Sequence, residues 1–493
     1  MATFSGRWYA LGALSLCTLA IGLDSTVLSV ALPTLARDLE ASTGDLQWFT
    51  NSYLLVLAAG LLPAGMLGDR YGRKKFLLGA LVLFGAASLA CAYAETAGQL
   101  TAARAVLGLG SAVIMALMGA VLTVLFDERE RPRALSIWVT ANALGVPLGP
   151  LLGGWLLDHF HWGAVFLINL PLVVLGLIAV AVLLPESYGD RRRRFDLLGV
   201  VLSATGLVAL TYGIIEAGER GWTDPRALLT VALGVLALGA LILWQRRAAA
   251  PLIDLELFRN RAFTGGTLFA TIAGFAFFGL LFALPLLFQA VGGADALGTG
   301  LRLLPVIGGL LAGARVAGRL TARFGARPVI ATGLAVMAAA LFAGAATDAG
   351  TGYGYVAAWI AVAGVGLGFT MPPSMNAALG ALTPERSGVG SGLIQALRQV
   401  GSAIGVAVLG TALNSAYRGA LPASAPDAVR ESVAAAPQFG DPALLDAARD
   451  AFAHGMSVSL LAAGAVAAVG AMLALVVLPR SRHDAPVLAE SGV

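Results

Sequence analysis

Long apolar runs recur along the whole chain and leave few folds open to it. Each run has about twenty residues, the length that an α-helix needs to cross a bilayer. Of the 493 residues, 58% are hydrophobic and 12% are charged, whereas soluble domains average about 25% charged residues. The runs are continuous rather than alternating, so they predict helices and not the strands of a membrane barrel. The sequence therefore predicts an all-α polytopic membrane protein.

Fourteen predicted spans account for the apolar runs. Basic residues cluster in every second connection between them, and this alternation places both termini in the cytoplasm, because short basic loops stay inside. The connection 415–454 is longer and is predicted on the outer side, with a short surface helix at 441–453. The predicted spans are 10–33, 48–67, 76–94, 98–125, 133–157, 164–184, 197–216, 226–245, 262–290, 300–319, 328–346, 353–380, 387–414 and 455–478.

A short basic segment, 65–75, joins the second and third spans in a tight cytoplasmic hairpin. A second copy of its pattern, 318–327, follows the tenth span but has Ala322 where the first copy has Asp69. A repeat in matching positions predicts two related bundles. The predicted units are an N-terminal six-helix bundle (1–186), a linker with two inserted helices (187–250) and a C-terminal six-helix bundle (251–493).

Two charged residues lie inside apolar spans. Asp24 is in the outer half of the first span, and Arg104 is near the outer end of the fourth. A carboxylate inside a bilayer is costly unless it is paired, solvated or protonated. Asp24 is therefore the candidate proton-binding residue, with a purely structural hydrogen bond as the alternative. For Arg104, at a similar depth, the alternative to a functional role is an arginine that reaches the outer interface.

The fifth predicted span carries a repeating glycine pattern. Gly145, Gly149 and Gly153 are four residues apart and so share one helix face, which lets another backbone approach closely. Prolines in the same stretch remove backbone donors and bend a helix. An ordinary packing seam is the alternative to a functional role. The residues of the pattern are Gly145, Pro147, Gly149, Pro150, Gly153 and Gly154.

Together these features resemble the fourteen-helix drug:proton antiporters of the major facilitator superfamily. The stretch 145–154 is similar to the motif that marks exporters in that superfamily, and 104–110 is similar to its helix 4 motif, except that Leu107 stands in place of glutamine. Further matches lie at 23–33, 166–171, 195–199 and 398–401. The signature between helices 2 and 3 of the superfamily is matched by Gly65, Asp69, Arg70, Gly72 and Arg73.

The resemblance implies roles for individual residues. Asp24 would bind the proton and Arg104 would take part in its transfer, although Leu107 makes a polar relay at that point doubtful. Asp69 would act on conformation, because an acid at a helix end can bind a helix N-terminus or an arginine. We expect its partner to be the N-terminal end of the thirteenth span or Arg133, closing the cytoplasmic side in the outward-open state.

The implied function is proton-coupled export of amphipathic small molecules, such as drugs and antibiotics, across the bacterial cytoplasmic membrane by alternating access. A narrow exporter of one natural product and an uptake symporter are the alternatives. Four scattered histidines show no metal spacing and no nucleotide signature is present, so we expect no cofactor, no bound metal and no enzymatic activity. The basic residues fall in loops between spans, which excludes a nucleic-acid partner. A monomer energised by the proton gradient is expected.

Polar and aromatic residues inside the spans are candidates to line a substrate cavity. For each of them, contact with a neighbouring helix or with lipid is the alternative. Arg398 is expected near mid-membrane, facing the cavity or an acid. The candidates are Asn51, Tyr53, Asn142, Phe278, Gln289 and Arg398.

Overall fold

The computed structural model describes residues 4–127, 130–189, 196–248, 251–382 and 387–479. Every regular element within these ranges is helical. The α-helices are α1 (Phe4–Asp38), α2 (Thr43–Tyr71), α3 (Arg73–Ala92), α4 (Ala97–Leu125), α5 (Arg131–His159), α6 (Ala164–Leu167), α7 (Asn169–Leu183), α8 (Leu197–Arg220), α9 (Pro225–Gln245), α10 (Arg261–Leu286), α11 (Ala296–Arg302), α12 (Leu304–Phe324), α13 (Ala326–Gly344), α14 (Tyr353–Gly380), α15 (Ser387–Ala420), α16 (Asp427–Glu431) and α17 (Pro442–Val477). Two 3₁₀ helices (Leu255–Arg259 and Val433–Phe439) and a π-helical turn (Leu287–Val291) complete them.

The all-helical membrane architecture is confirmed. Within the described ranges, 13 helical segments are long and apolar enough to cross a membrane. They correspond in order to all but one of the predicted spans. The remaining prediction, 133–157, coincides with the 29-residue helix α5. The structure is therefore consistent with the predicted fourteen helices.

Three predicted spans are interrupted. The sixth is divided at Ile168 into α6 and α7, and the ninth ends in the π-helical turn Leu287–Val291. The tenth is divided at Leu303 into α11 and α12. Pro305 lies in the first turn of α12, where its missing N–H would have no intrahelical partner in any case. A proline of this kind begins a helix more readily than it continues one.

The outer connection is shorter than predicted. The helices α15 and α17 extend into the range 415–454 from both sides, so that only 421–441 connects them. The helix predicted at 441–453 is not a separate surface helix but the beginning of the 36-residue α17. Asp441 caps it by accepting a hydrogen bond from the Ala443 N–H at 2.9 Å. The prediction began the last span at 455 because charged residues in 441–454 interrupt the apolar run. The helix nevertheless continues through these residues, since a helix can extend beyond its apolar part into water.

A single glycine makes each of the two repeated hairpins possible. Gly72 is the only residue between α2 and α3, and its φ of 113° is one that favours glycine. Gly325 stands between α12 and α13 with a φ of 82°. The sequence repeat of 65–75 and 318–327 therefore corresponds to the same tight backbone turn.

The long helices pack in two groups. In the first, α1 packs against α5 and α7, while α4 packs against α2 and α3. In the second, α14 packs against α12 and α13, α10 packs against α15, and α17 covers α13 and α15. The groups meet along α2 and α15, which lie side by side.

The C-terminal end of the helix α8 connects the two groups. Thr411 of α15 donates to the Ile214 carbonyl at 3.0 Å, and Arg418 of the same helix donates to the Glu219 carbonyl at 2.7 Å. On its other side, the Glu219 carboxylate lies 3.3 Å from the Ser42 hydroxyl at the start of α2. The helix α9 packs mainly against α8 and adds to this arrangement from the periphery.

Asp196 anchors the opposite end of α8. Its buried carboxylate accepts hydrogen bonds from Trp244 Nε1 at 2.8 Å, Gln245 Nε2 at 2.7 Å, Gly199 N–H at 2.8 Å and Leu252 N–H at 3.2 Å. Burial by itself raises the pKa of this carboxyl, but the four donors outweigh it, and the pKa of Asp196 lies below its ordinary value. One carboxylate thus joins α8, α9 and the chain leading to α10.

Replacing Asp196 by alanine is expected to destabilise the protein by about 2 kcal/mol at neutral pH, because a helix cap and charge-assisted hydrogen bonds are lost together. The folded pKa of Asp196 is lowered, so its stabilisation is present above the unfolded pKa and is lost as pH falls through the folded one. The melting temperatures of wild type and Asp196→Ala in detergent should therefore converge in acid. The control is Asp224→Ala, which removes only the cap of α9 and should cost about 1 kcal/mol. An equal loss of stability in both variants would contradict this role of Asp196.

Candidate functional site

The two predicted intramembrane charges form an ion pair. Arg104 Nη1 of α4 donates to Asp24 Oδ2 of α1 at 2.6 Å. The Asp24 side chain is 0% exposed and that of Arg104 is 1% exposed. Each charge alone would be costly inside a bilayer, and the pairing compensates both. Two residues that the sequence places at a similar depth are thus in direct contact.

Two groups of α2 hold Arg104 in this position. Its Nε donates to the Phe49 carbonyl at 3.0 Å. Its guanidinium lies over the Tyr53 ring, 4.4 Å from the ring centroid, a cation–π contact that strengthens when it is removed from water. Tyr53, predicted as a cavity residue, is 1% exposed and serves instead as a support for the arginine.

Asn169 of α7 approaches the carboxylate from another side. Its Nδ2 lies 3.4 Å from Asp24 Oδ1 and donates to the Ser88 hydroxyl at 3.0 Å. Asn169 and Ser88 are both fully buried. Asn169 Oδ1 has no hydrogen-bond partner within the described ranges. Asn169 belongs to the stretch 166–171, which the sequence singled out without a role.

The glycine face of α5 packs against α1 beside Asp24. A Cβ at Gly145 would lie 2.8 Å from backbone atoms of Gly22. Gly149 and Gly153 meet the backbone of α1 successively closer to its outer end. The three glycines thus allow a backbone-to-backbone approach that runs past Asp24 on both sides, as expected for small residues at a membrane helix interface.

The C-terminal end of α5 contacts α11, the short helix that leads into α12 of the second group. The Asp158 carboxylate accepts the N–H groups of Ala296 at 3.2 Å and Leu297 at 3.0 Å. Gly154 lies against the backbone of the same two residues, and Pro150 contacts α11 one turn further along. The predicted glycine and proline pattern therefore serves two contacts, one with α1 and one between the groups.

Further contacts lie on the same side of the molecule. Gln289, in the π-helical turn, donates to the Val30 carbonyl of α1 at 2.9 Å. Thr43 at the start of α2 donates to the Glu431 carbonyl of α16 at 2.8 Å. Together with the α5–α11 contact, these bonds join the two groups on the side that the sequence predicts to face outward. The Asp24 side chain is 0% exposed in this conformation.

Asp69 has a different partner from those predicted. Its carboxylate accepts a hydrogen bond from Arg73 Nε at 2.7 Å. Arg133 instead lies over the ring of Trp8 in the first turns of α1, 5.2 Å from the centroid. The predicted clamp concerned the outward-open state, and it stays a prediction.

The chain after α7 covers the hairpin 65–75. The Gly189 N–H donates to the Asp69 carbonyl at 2.9 Å, and the Glu186 carboxylate accepts the Lys74 N–H at 3.0 Å. Among the other signature residues, Gly72 makes the turn, Gly65 faces α4, and Arg70 is exposed with its guanidinium over Tyr71. The signature is thus a docking point for the linker that leads to α8.

The predicted cavity residues do not share one role. Asn51 and Phe278 are buried at 0% and 8% exposure, so neither is open to a substrate in this conformation, and Gln289 connects the groups. Arg398 is half-buried and donates from Nε to Gln395 at 3.0 Å. Asn142 and Pro147 are in α5, but their side chains lie outside the described part of the structure.

Three buried or bridging residues were missed from the sequence. Asn169 and Ser88 contact the ion pair, and Asp158 joins the two helix groups. A signal existed for Asn169, since an asparagine inside an apolar run needs hydrogen-bond partners within the protein. Serine is common in membrane helices, so Ser88 did not stand out in the sequence. Asp158 lies at a helix end, where acidic residues are also common.

Helices of this length and a charge pair closed off from water define a multi-pass membrane carrier. The family model of the Major Facilitator Superfamily matches residues 14–406. The tetracenomycin C resistance and export protein of Streptomyces glaucescens is 32% identical over 95% of this chain and 91% of its own. The multidrug resistance protein Stp of Mycobacterium tuberculosis is 34% identical over 80% of this chain and 73% of its own.

Two further comparisons agree with these. The methyl viologen resistance protein SmvA of Salmonella typhimurium is 32% identical over 93% of this chain and 96% of its own. A crystal structure of a bacterial homologue of the lysosomal transporter Spinster superposes with a TM-score of 0.69, at 16% identity, over 96% of this chain and 98% of that one, and this likeness concerns the fold alone. The chain belongs to the Major Facilitator Superfamily, as its sequence motifs predicted.

Gly145→Ala is expected to weaken the α1–α5 contact, because the atoms that the new methyl group would meet are backbone atoms that cannot turn aside. Overpacking of this kind costs about 1–3 kcal/mol. Both the melting temperature in detergent and the resistance conferred on a sensitive host should fall. Gly79→Ala, in open space on α3, is the matched control and should change neither; a Gly145→Ala protein with wild-type stability and activity would contradict the close packing.

Proposed function

We propose that this protein is a proton-coupled exporter of amphipathic small molecules, drugs and antibiotics among them. The observation that carries the proposal is the buried ion pair of Asp24 and Arg104, because ionisable groups inside a membrane protein mark paths of ions or protons. Membership of a family with resistance and export proteins as relatives supports the direction of transport. The protein works as a monomer in the bacterial cytoplasmic membrane, with both termini inside and the proton gradient as its energy source.

Proton binding begins when the outer contacts of α5 and α11 open. Water then reaches Asp24, and a proton from outside binds to the carboxylate. Neutral Asp24 no longer attracts Arg104, which keeps the Phe49 carbonyl and the Tyr53 ring as partners. The attraction between α1 and α4 is therefore weakened in the protonated form.

The proton drives export by changing the relative stability of two conformations, since a ligand shifts an equilibrium by its differential affinity for the two states. In the outward-open state the substrate leaves and the proton binds. In the inward-open state the proton leaves, the ion pair of Asp24 and Arg104 forms again, and a new substrate binds. The conformation described above, closed outside and with the pair intact, corresponds to the state after proton release.

The helix α5 connects the proton site to the outer contacts. Its glycines lie against α1 on both sides of Asp24, and its outer end binds the N–H groups of Ala296 and Leu297 through Asp158. A shift of α1 that follows protonation therefore moves the same helix that closes the outer side. This is the physical coupling that an antiporter needs.

The substrate class follows from the relatives and from the apolar interior. The relatives are named for chemically different compounds, tetracenomycin C and methyl viologen. This difference favours recognition of amphipathic character over one fixed shape. The interior around α10 is rich in phenylalanine, including Phe277 and Phe278, and offers apolar and aromatic surface to such molecules when the carrier opens.

Asp24→Asn is expected to abolish proton movement coupled to substrate, because the amide keeps the size of the side chain and cannot bind the proton. Purified protein in proteoliposomes is exposed to methyl viologen, and the change in pH is recorded. Wild type should move protons on addition of the substrate. Unchanged coupling in Asp24→Asn would place the proton site elsewhere, and a wild type without proton movement for methyl viologen or an amphipathic dye would overturn proton coupling.

A second variant separates coupling from folding. Asp24→Asn leaves Arg104 buried without its counter-charge, which costs about 3–5 kcal/mol. The double variant Asp24→Asn/Arg104→Gln removes both charges and should regain much of the lost melting temperature. It should remain without coupling, which shows that the loss comes from the missing carboxylate and not from unfolding. Recovery of coupling in the double variant would contradict the assignment.

A further inference from the structure

Ionised Asp24 depends on Arg104 and hardly on Asn169. The bond from Arg104 to Oδ2 is 2.6 Å long and charge-assisted. The approach of Asn169 Nδ2 to Oδ1 is 3.4 Å, beyond the usual range of a hydrogen bond of this type. Asn169 is therefore placed next to the carboxylate without contributing much to its charged form.

The amide of Asn169 is only half satisfied. Its Nδ2 donates to the Ser88 hydroxyl at 3.0 Å, but its Oδ1 is buried without a partner among the described residues. A buried acceptor without a donor costs free energy. Ionised Asp24 cannot supply the donor, because a carboxylate only accepts hydrogen bonds, whereas a protonated carboxyl carries one O–H.

We propose that Asn169 is the positioning residue for the coupling proton. When a proton from outer water binds to Asp24, the amide turns over, Oδ1 accepts the new O–H bond, and the Ser88 hydroxyl donates to the same oxygen. Turning an amide exchanges its donor and acceptor with little change of shape. Neutral Asp24 thus gains a partner as its attraction to Arg104 is lost. The inference rests on the proposed function and gives a role to the stretch 166–171.

The other groups that face Asp24 do not provide this acceptor. Arg104 from α4 has donors only. Tyr53 from α2 presents its ring to Arg104, and its buried hydroxyl makes no hydrogen bond to Asp24 or to any other described residue. Cys91 from α3 is the remaining titratable group whose charge is coupled to Asp24, and a thiol accepts hydrogen bonds weakly. The helix α5 contributes glycine backbone at this level, so Asn169 of α7 is the amide acceptor next to the carboxyl.

Asn169→Leu is expected to weaken proton binding, because leucine keeps the branching at Cγ and removes the acceptor. The pH of half-maximal, methyl viologen-dependent proton exchange in proteoliposomes should move toward acid by about one unit, the size of one lost hydrogen bond to the protonated form. The maximal rate at acid pH should be largely retained. A purely structural role of Asn169 would lower the amount of active protein and leave this midpoint unchanged.

Infrared difference spectroscopy on the purified protein gives a readout that does not require transport. Titration of wild type should produce the carbonyl stretching band of protonated Asp24, identified by its absence in Asp24→Asn. In Asn169→Leu the band should move to higher frequency, as a carboxyl does when its O–H loses an acceptor, and it should appear at lower pH.

Two variants serve as controls. Val173→Ala removes buried packing one turn along α7 and should lower stability without moving the midpoint or the band. Asn169→Thr keeps a small hydroxyl acceptor and should return both toward wild type, which also covers the case in which Asn169→Leu does not fold. A titrating band that neither Asn169 variant moves overturns this inference alone, whereas a wild type without a titrating Asp24 band overturns the proposed function as well.

Discussion

The bilayer requires that every charge within it be compensated inside the protein, and the ion pair of Asp24 and Arg104 is the place where this requirement is strictest. The pair joins α1 to α4, and the Phe49 carbonyl and Tyr53 ring add α2 to the same cluster. Three helices of the first group are thus held by one arginine. A change of charge at this carboxylate would therefore act on all three helices at once.

Close helix packing makes this charge pair effective over distance. Glycines on α5 bring its backbone against that of α1, so that the two helices cannot shift independently. The outer end of α5 in turn holds the start of α11 through Asp158. A side chain at Gly145 or Gly149 would separate α1 from α5 and so disconnect the ion pair from the α5–α11 contact. The glycine and proline stretch 145–154 can therefore be understood as the part of α5 that links α1 mechanically to α11.

The sequence predicted the architecture well, because hydrophobic length and the position of basic loops are local properties. It also predicted that Asp24 and Arg104 matter, because a charge inside an apolar run is visible without knowing its partner. Their direct contact, and the approach of Asn169, depend on how α1, α4 and α7 pack, which no local pattern contains. The predicted start of the last span at 455 was wrong for a related reason. Apolar composition indicates where a helix leaves the bilayer, whereas α17 continues beyond that point to Pro442.

The two halves of the chain differ in their chemistry although they share a fold. The hairpin of the first half has Asp69, and that of the second has Ala322. The first half pairs its buried arginine with a carboxylate, whereas Arg398 in the second has Gln395 and no described carboxylate within ion-pair distance. The one buried carboxylate–arginine pair among the described residues therefore lies in the first half, and the contacts of α5, α2 and α8 join that half to the second.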